Sequence, residues 1–138
     1  MSFKSTLYLL LILVLFGCAK DNTNQVPYAP VYIQVNINNP QYIDLNHPGG
    51  WVYMSGGVKG LILFRKDEST INAFDRLSPY PSENGCTVKV DSSEVFALDT
   101  CTSSKWLLFD GSPNSGPAKR GLIQYSTTLN GSILTISN

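Results

Sequence analysis

The sequence predicts an all-β fold, a small antiparallel sandwich or barrel. Three observations carry that reading: an apolar/polar alternation at 31–37, a series of short β-rich runs separated by Gly, Pro and Asn, and an Asn-Gly pair at 130–131 between two such runs. A two-residue period marks a strand with one buried face, and short strands punctuated by turn residues build sandwiches and barrels. No run carries a convincing helical period.

In chain order, Val31-Tyr32-Ile33-Gln34-Val35-Asn36-Ile37 is the first half-buried strand. Trp51-Val52-Tyr53-Met54, followed by Val58 and Leu61-Ile62-Leu63-Phe64, forms a hairpin in which Gly56-Gly57 supplies the positive backbone angles of a tight turn. Further strands are expected at 71–74, 88–90, 95–98, 106–109, 122–126 and 133–136, and the stretch 67–70 allows one short helical turn. Leu129-Asn130-Gly131-Ser132 is the clearest local signal, since Asn-Gly favours a two-residue hairpin turn.

The stretch ahead of these strands has a different character. Lys4 precedes an apolar run at 7–16, shorter than the roughly 20 residues that span a bilayer but suited to the core of a secretory signal. Leu15-Phe16-Gly17-Cys18 resembles the lipobox of bacterial lipoproteins, which implies cleavage before Cys18 and lipidation of its sulfur. Two or three acyl chains, at about 0.8 kcal/mol per buried methylene, hold a small domain on a membrane. Lys20-Asp21 is similar to the surface-export signal of Bacteroidetes lipoproteins. The expected organisation is a signal peptide at 1–17, a lipidated tether at 18–30 and one β domain at 31–138. The expected location is the bacterial cell envelope, with the outer membrane favoured over the inner.

Composition narrows the function classes. Formal charge is zero and charged residues are 14% of the chain, against about 25% in an average soluble protein. The adjacent basic pairs in the domain, Arg65-Lys66 and Lys119-Arg120, make no basic patch, so no nucleic-acid partner is expected. There is no Gly-x-Ser-x-Gly, no phosphate-binding glycine loop and no His-Glu-x-x-His. Asp75, Asp91, Asp99 and Asp110 flank turns, where an aspartate caps backbone amides, and this outweighs paired-carboxylate chemistry. Asp110, Ser112 and Asn114 alternate oxygens but lack the bidentate acid of a calcium loop. The single histidine, His47, lies in a turn, Asn46-His47-Pro48-Gly49-Gly50.

The region 75–122 carries a family resemblance. Asp75-Arg76-Leu77-Ser78-Pro79-Tyr80, then Asp99-Thr100-Cys101-Thr102-Ser103-Ser104-Lys105-Trp106, then Asp110-Gly111 and Gly116-Pro117-Ala118 together resemble the cluster-binding region of Rieske-type iron–sulfur domains. The likeness runs from about Val31 to Ser137. It implies a compact antiparallel architecture of three β sheets. The family's Cys-x-His and Cys-x-x-His ligand positions read here Ser78, Tyr80, Asp99 and Thr102, and Ser103 stands where a Gly is usual. A Rieske centre takes two thiolates and two imidazoles. One histidine and three cysteines, Cys18 taken by lipid, do not supply them, so no cofactor and no metal is expected.

The resemblance further implies a Cys86–Cys101 disulfide, because non-ligand cysteines of respiratory Rieske proteins pair at about these positions, and an exported domain pairs an even cysteine count. In the emptied site the Tyr80 ring is expected to fill the vacated volume, with Ser78, Asp99 or Thr102 hydrogen-bonding within it. The expected function is a non-enzymatic binding or structural module on the envelope, its partner a protein or a small ligand. The alternative is a redox protein that uses the Cys86/Cys101 pair or an externally supplied metal.

Overall fold

The computed structural model describes residues 29–80 and 85–138. Expectations for residues 1–28, including lipidation of Cys18, the signal peptide and most of the tether, lie outside the described residues. Among the described residues, ten strands form two antiparallel sheets. The larger contains β1 (Tyr32–Asn36), β2 (Trp51–Met54), β3 (Leu61–Arg65), β4 (Ile71–Asp75), β9 (Gln124–Asn130) and β10 (Ile133–Ser137), in the order β1-β10-β9-β4-β3-β2. The smaller contains β5 (Lys89–Val90), β6 (Phe96–Leu98), β7 (Lys105–Leu107) and β8 (Pro113–Ser115), in sequence order.

The larger sheet has two parts joined through β9. Tyr125 and Gln124 pair with Ala73 and Phe74 of β4, whereas residues 126–130 pair with β10. Together with the β5–β8 sheet this gives the expected three-sheet arrangement. At the centre, every residue of β3 and β4 is buried, which is why Leu61-Ile62-Leu63-Phe64 shows no apolar/polar alternation. Alternation survives as a choice of core. Leu61, Leu63, Ile71 and Ala73 join one apolar cluster with Leu45, Leu134 and Ile136, and Ile62, Phe64 and Phe74 join a second with Val88, Trp106 and Leu108.

The buried polar residues of these strands have partners. Asn72 donates to the Phe109 carbonyl at 2.9 Å and accepts from Gln124 Nε2 at 3.3 Å. Asp75 Oδ2 accepts from Val58 N at 2.6 Å and Tyr125 Oη at 2.8 Å, while Oδ1 accepts from Lys59 N at 3.2 Å and Leu77 N at 2.8 Å. One side chain thus ties the β2–β3 loop, the strand β9 and the start of the 77–87 loop. Tyr53 of β2 joins the sheets: its hydroxyl accepts from Val90 N at 2.9 Å and its ring lies 4.1 Å from the Arg76 guanidinium.

Several local expectations change. A 3-10 helix spans Pro40–Asn46, where no helix was expected; its Tyr42 and Leu45, three residues apart, are the buried pair, as a three-residue turn requires. Val58 lies in the β2–β3 loop, its amide held by Asp75. The loop is wider than a tight turn and uses three positive-φ glycines, Gly56, Gly57 and Gly60. Residues 67–70 form no helical turn; Asp67 Oδ1 accepts from Ser69 N, and Lys66 N donates to Thr70 O, closing a hairpin turn. The strand expected at 106–109 ends at Leu107, and β9 starts at Gln124. β8 was not expected: it is fully exposed, polar and begins with Pro, features of an edge strand. In the β9–β10 turn, Asn130 pairs with Ile133, so Gly131-Ser132 are the central residues and Gly131 alone has positive φ.

Gly57 sits against the Asp75 hub. A Cβ there would fall inside contact distance of Asp75 Oδ2 and 2.9 Å from Tyr125 Oη, at φ +61, whereas a Cβ at Gly131 would meet nothing within 4 Å. Gly57→Ala should therefore cost about 2–4 kcal/mol and Gly131→Ala about 1–2 kcal/mol, compared by urea denaturation. Equal losses would show that the Asp75 hub yields without cost.

Candidate functional site

Two loops meet at one end of the β5–β8 sheet. The first leaves β4 through an isolated bridge between Leu77 and Thr87, reinforced by Ser78 N donating to Cys86 O at 2.8 Å. The second is the β6–β7 connection, closed by Asp99 N donating to Ser104 O at 2.9 Å and Ser103 N donating to Asp99 O at 2.8 Å. The Cys86–Cys101 disulfide joins them, with a Cα–Cα distance of 6.4 Å. The expected pairing is therefore present.

Asp99, fully buried, is the centre of the second loop. Its Oδ2 accepts from Ser78 Oγ at 2.8 Å and Thr102 Oγ1 at 2.9 Å, and its Oδ1 accepts from Cys101 N at 2.8 Å. Thr102 Oγ1 lies 3.0 Å from Ser104 Oγ, which accepts from Ala118 N at 3.2 Å. A hydroxyl has one proton to give, so the chain is ordered: Ser104 donates to Thr102, and Thr102 donates to Asp99. This network spans the first loop, the second loop and the Gly116-Pro117-Ala118 segment.

Three of the four singled-out positions, Ser78, Asp99 and Thr102, thus come together through hydrogen bonds. Tyr80 joins through its backbone, its N donating to Ser78 Oγ at 3.3 Å, and its ring packs partly buried against the second core. Ser104, fully buried in the same network, was missed by the sequence reading. Its signal was position alone, one Ser among several beside Lys105. Ser103 has φ +60, so the place where a Gly is usual keeps the backbone conformation that favours Gly. Gly116 presses on this loop: a Cβ there would lie 2.6 Å from Ser104 Cα.

The other turn aspartates act as amide caps. Asp91 Oδ1 accepts from Ser93 N and Asp110 Oδ1 from Ser112 N, each two residues ahead, the pattern Asp75 and Asp99 also follow. The serine hydroxyls at 93 and 112 hold the carboxyls of Asp91 and Asp110 below the usual aspartate range, Lys105 adding to the effect at Asp91. The Asp110, Ser112 and Asn114 arrangement is turn chemistry, since Ser112 Oγ donates to Asp110 at 2.6 Å. His47 lies apart, lining a hollow with Gln41, Asp44 and Glu94.

Among the described residues, ten short strands in this order, with two loops meeting at one end of the smaller sheet, define a Rieske-like ferredoxin fold. A chain from the complex of reduced oxygenase and oxidized ferredoxin in carbazole 1,9a-dioxygenase shares it, at a TM-score of 0.54 and 12% identity, covering 78% of this chain and 93% of that one. The ferredoxin of carbazole 1,9a-dioxygenase from Nocardioides aromaticivorans IC177 does so at 0.51 and 12%, covering 79% and 97%. At this identity the likeness is one of fold. No family model and no curated protein matches the chain.

Asp99→Ala should leave two hydroxyls and an amide without their acceptor, at about 1–3 kcal/mol for each buried group that finds no substitute. A total loss of several kcal/mol is expected by chemical denaturation. Ser103→Gly should instead stabilise by about 0.5–1 kcal/mol, the relief of left-handed strain less the added chain entropy. A destabilised glycine variant would mean that the Ser103 side chain itself holds the loop.

Proposed function

We propose that the chain is a lipid-anchored protein of the bacterial envelope whose Rieske-like scaffold carries no iron–sulfur cluster and serves as a non-enzymatic binding module. Its partner is an envelope protein or a small ligand, met by the loops that begin at Ser78 and at Asp110. The anchor is the lipid on Cys18. The observation that carries the reading is the Asp99 network: the four positions where the family holds its cluster offer oxygen, not sulfur and imidazole, and both lone pairs of Asp99 Oδ2 are engaged by hydroxyls. His47, the one histidine in the sequence, lines a different hollow. These residues do not fit a Rieske cluster.

A second reading has its own support. Cys101 is exposed, and a carboxylate oxygen of Asp99 lies within 4.8 Å of both disulfide sulfurs, giving the pair a polar neighbour. On that reading the protein is a redox protein that cycles the Cys86–Cys101 bond. The reduction potential separates the two: a purely structural disulfide belongs below about −300 mV and a working one above it.

The purified full-length chain should be colourless and should take up no stoichiometric iron when reconstituted with iron and sulfide. About two irons per chain with visible cluster absorption would overturn the cluster-free reading. In a lipoprotein-processing bacterial host, the chain should incorporate labelled palmitate and partition into detergent, and Cys18→Ala should do neither. Label retained by the variant would remove Cys18 as the anchor.

A further inference from the structure

The Cys86–Cys101 disulfide, Asp99 and their hydrogen bonds place three metal-binding donors in one spot. The two sulfurs and an Asp99 carboxylate oxygen all lie within 4.8 Å of one another. Among the described residues, this is the one such cluster of three His, Cys, Asp or Glu donors. While the disulfide is closed the sulfurs carry no thiolate, and the set is not a metal site. We propose that reduction of Cys86–Cys101 opens a Zn2+ site formed by the two thiolates and the Asp99 carboxylate, with a fourth position left for water or a ligand.

The carboxylate is already prepared for the role. An ionised carboxyl has about four lone-pair positions, and three are used: two on Oδ2 by Ser78 and Thr102, one on Oδ1 by Cys101 N. Among the described residues, one position on Oδ1 is open. The two hydroxyls on Oδ2 fix the carboxyl plane, as outer partners do for carboxylates that bind metals. Asp99 is buried and held by both loops, so the donor is in place before the metal arrives. Cys101 is the more exposed residue of the pair.

The chemistry balances with a dithiol as the reductant. Its thiolate attacks one sulfur of the disulfide, the S–S bond breaks, and its second thiol resolves the mixed disulfide. Two electrons and two protons pass to the cysteines, and the reductant leaves as a disulfide. Zn2+ then displaces two protons and binds two sulfurs and one oxygen. Thiolate donors select a thiophilic ion such as Zn2+ over Mg2+ or Ca2+, and three protein ligands with one open position is the arrangement of reactive or exchangeable zinc sites.

The test uses the full-length chain and Zn2+ alone, with and without prior reduction under exclusion of oxygen. The disulfide form should bind no zinc, and the reduced form should bind one ion per chain with release of about two protons. X-ray absorption at the zinc edge should show two sulfurs per zinc together with oxygen. Asp99→Asn, checked for folding by circular dichroism, should weaken binding by about tenfold or more. Four sulfurs per zinc would mean two chains bridged by one ion and would overturn the proposal. So would absence of uptake by the reduced chain, or unchanged affinity in a folded Asp99→Asn. Where that variant fails to fold, the sulfur and oxygen count on the native sequence decides.

Discussion

Burial of β3 and β4 on both faces is the constraint from which the rest of the molecule follows. Strands with apolar cores above and below have no water to satisfy a polar side chain, and an unpaired buried group costs about 1–3 kcal/mol. Each polar residue admitted there must carry its partners with it. Asn72 reaches the 108–109 backbone and Gln124, and Asp75 reaches the β2–β3 loop, β9 and Leu77. The loops at the end of the smaller sheet therefore take their position from the central layer. Leu77 N bonds to Asp75 Oδ1, and one residue later Ser78 turns its hydroxyl toward Asp99.

The same local bond occurs at five aspartates with different consequences. Asp67, Asp75, Asp91, Asp99 and Asp110 each accept from the backbone amide two residues ahead. At Asp67 and Asp110 the bond shapes a turn, and at half-buried Asp91 the carboxylate also pairs with Lys105 Nζ at 2.9 Å. At Asp75 and Asp99, both fully buried, the carboxylate also accepts from side chains or amides elsewhere in the chain, and the turn becomes a junction between distant segments. Burial, which a turn motif does not encode, separates the two kinds.

That distinction sets how much could be read in advance. Strands that bury one or both faces write their presence as alternation or as an apolar run, so β1, β2, β3, β4 and β10 were legible. So was the pairing of Cys86 with Cys101, through the family resemblance. β8 was not, because an exposed edge strand has no apolar residue to announce it, and Pro113 cannot donate to the ladder. The 3-10 helix escaped because Asn38-Asn39-Pro40 reads as a turn and only Tyr42 and Leu45 mark a buried face. At the site, Ser78, Asp99 and Thr102 were found by position within a resembling motif. Ser104 lay outside the ligand positions, and only the tertiary arrangement brings it under Ala118 N.

The two loops are joined twice, by a covalent bond and by a buried hydrogen bond, and the magnitudes are alike. A disulfide closing a loop with a sequence separation of 15 contributes about 3 kcal/mol on the chain-entropy model. The Ser78–Asp99 bond, buried and made to a charged acceptor, is of the kind that contributes about 1.5–3 kcal/mol. It is backed by the Leu77–Thr87 bridge on one side and by the Thr102–Ser104–Ala118 chain on the other. Opening the disulfide removes the covalent tie while these contacts remain in place. The loops then have reason to stay together, with two cysteine side chains held beside a fixed carboxylate instead of dispersing into solvent. A scaffold built this way separates the integrity of the loop pair from the oxidation state of its sulfurs, and that separation is what lets a disulfide in this position do more than hold the fold.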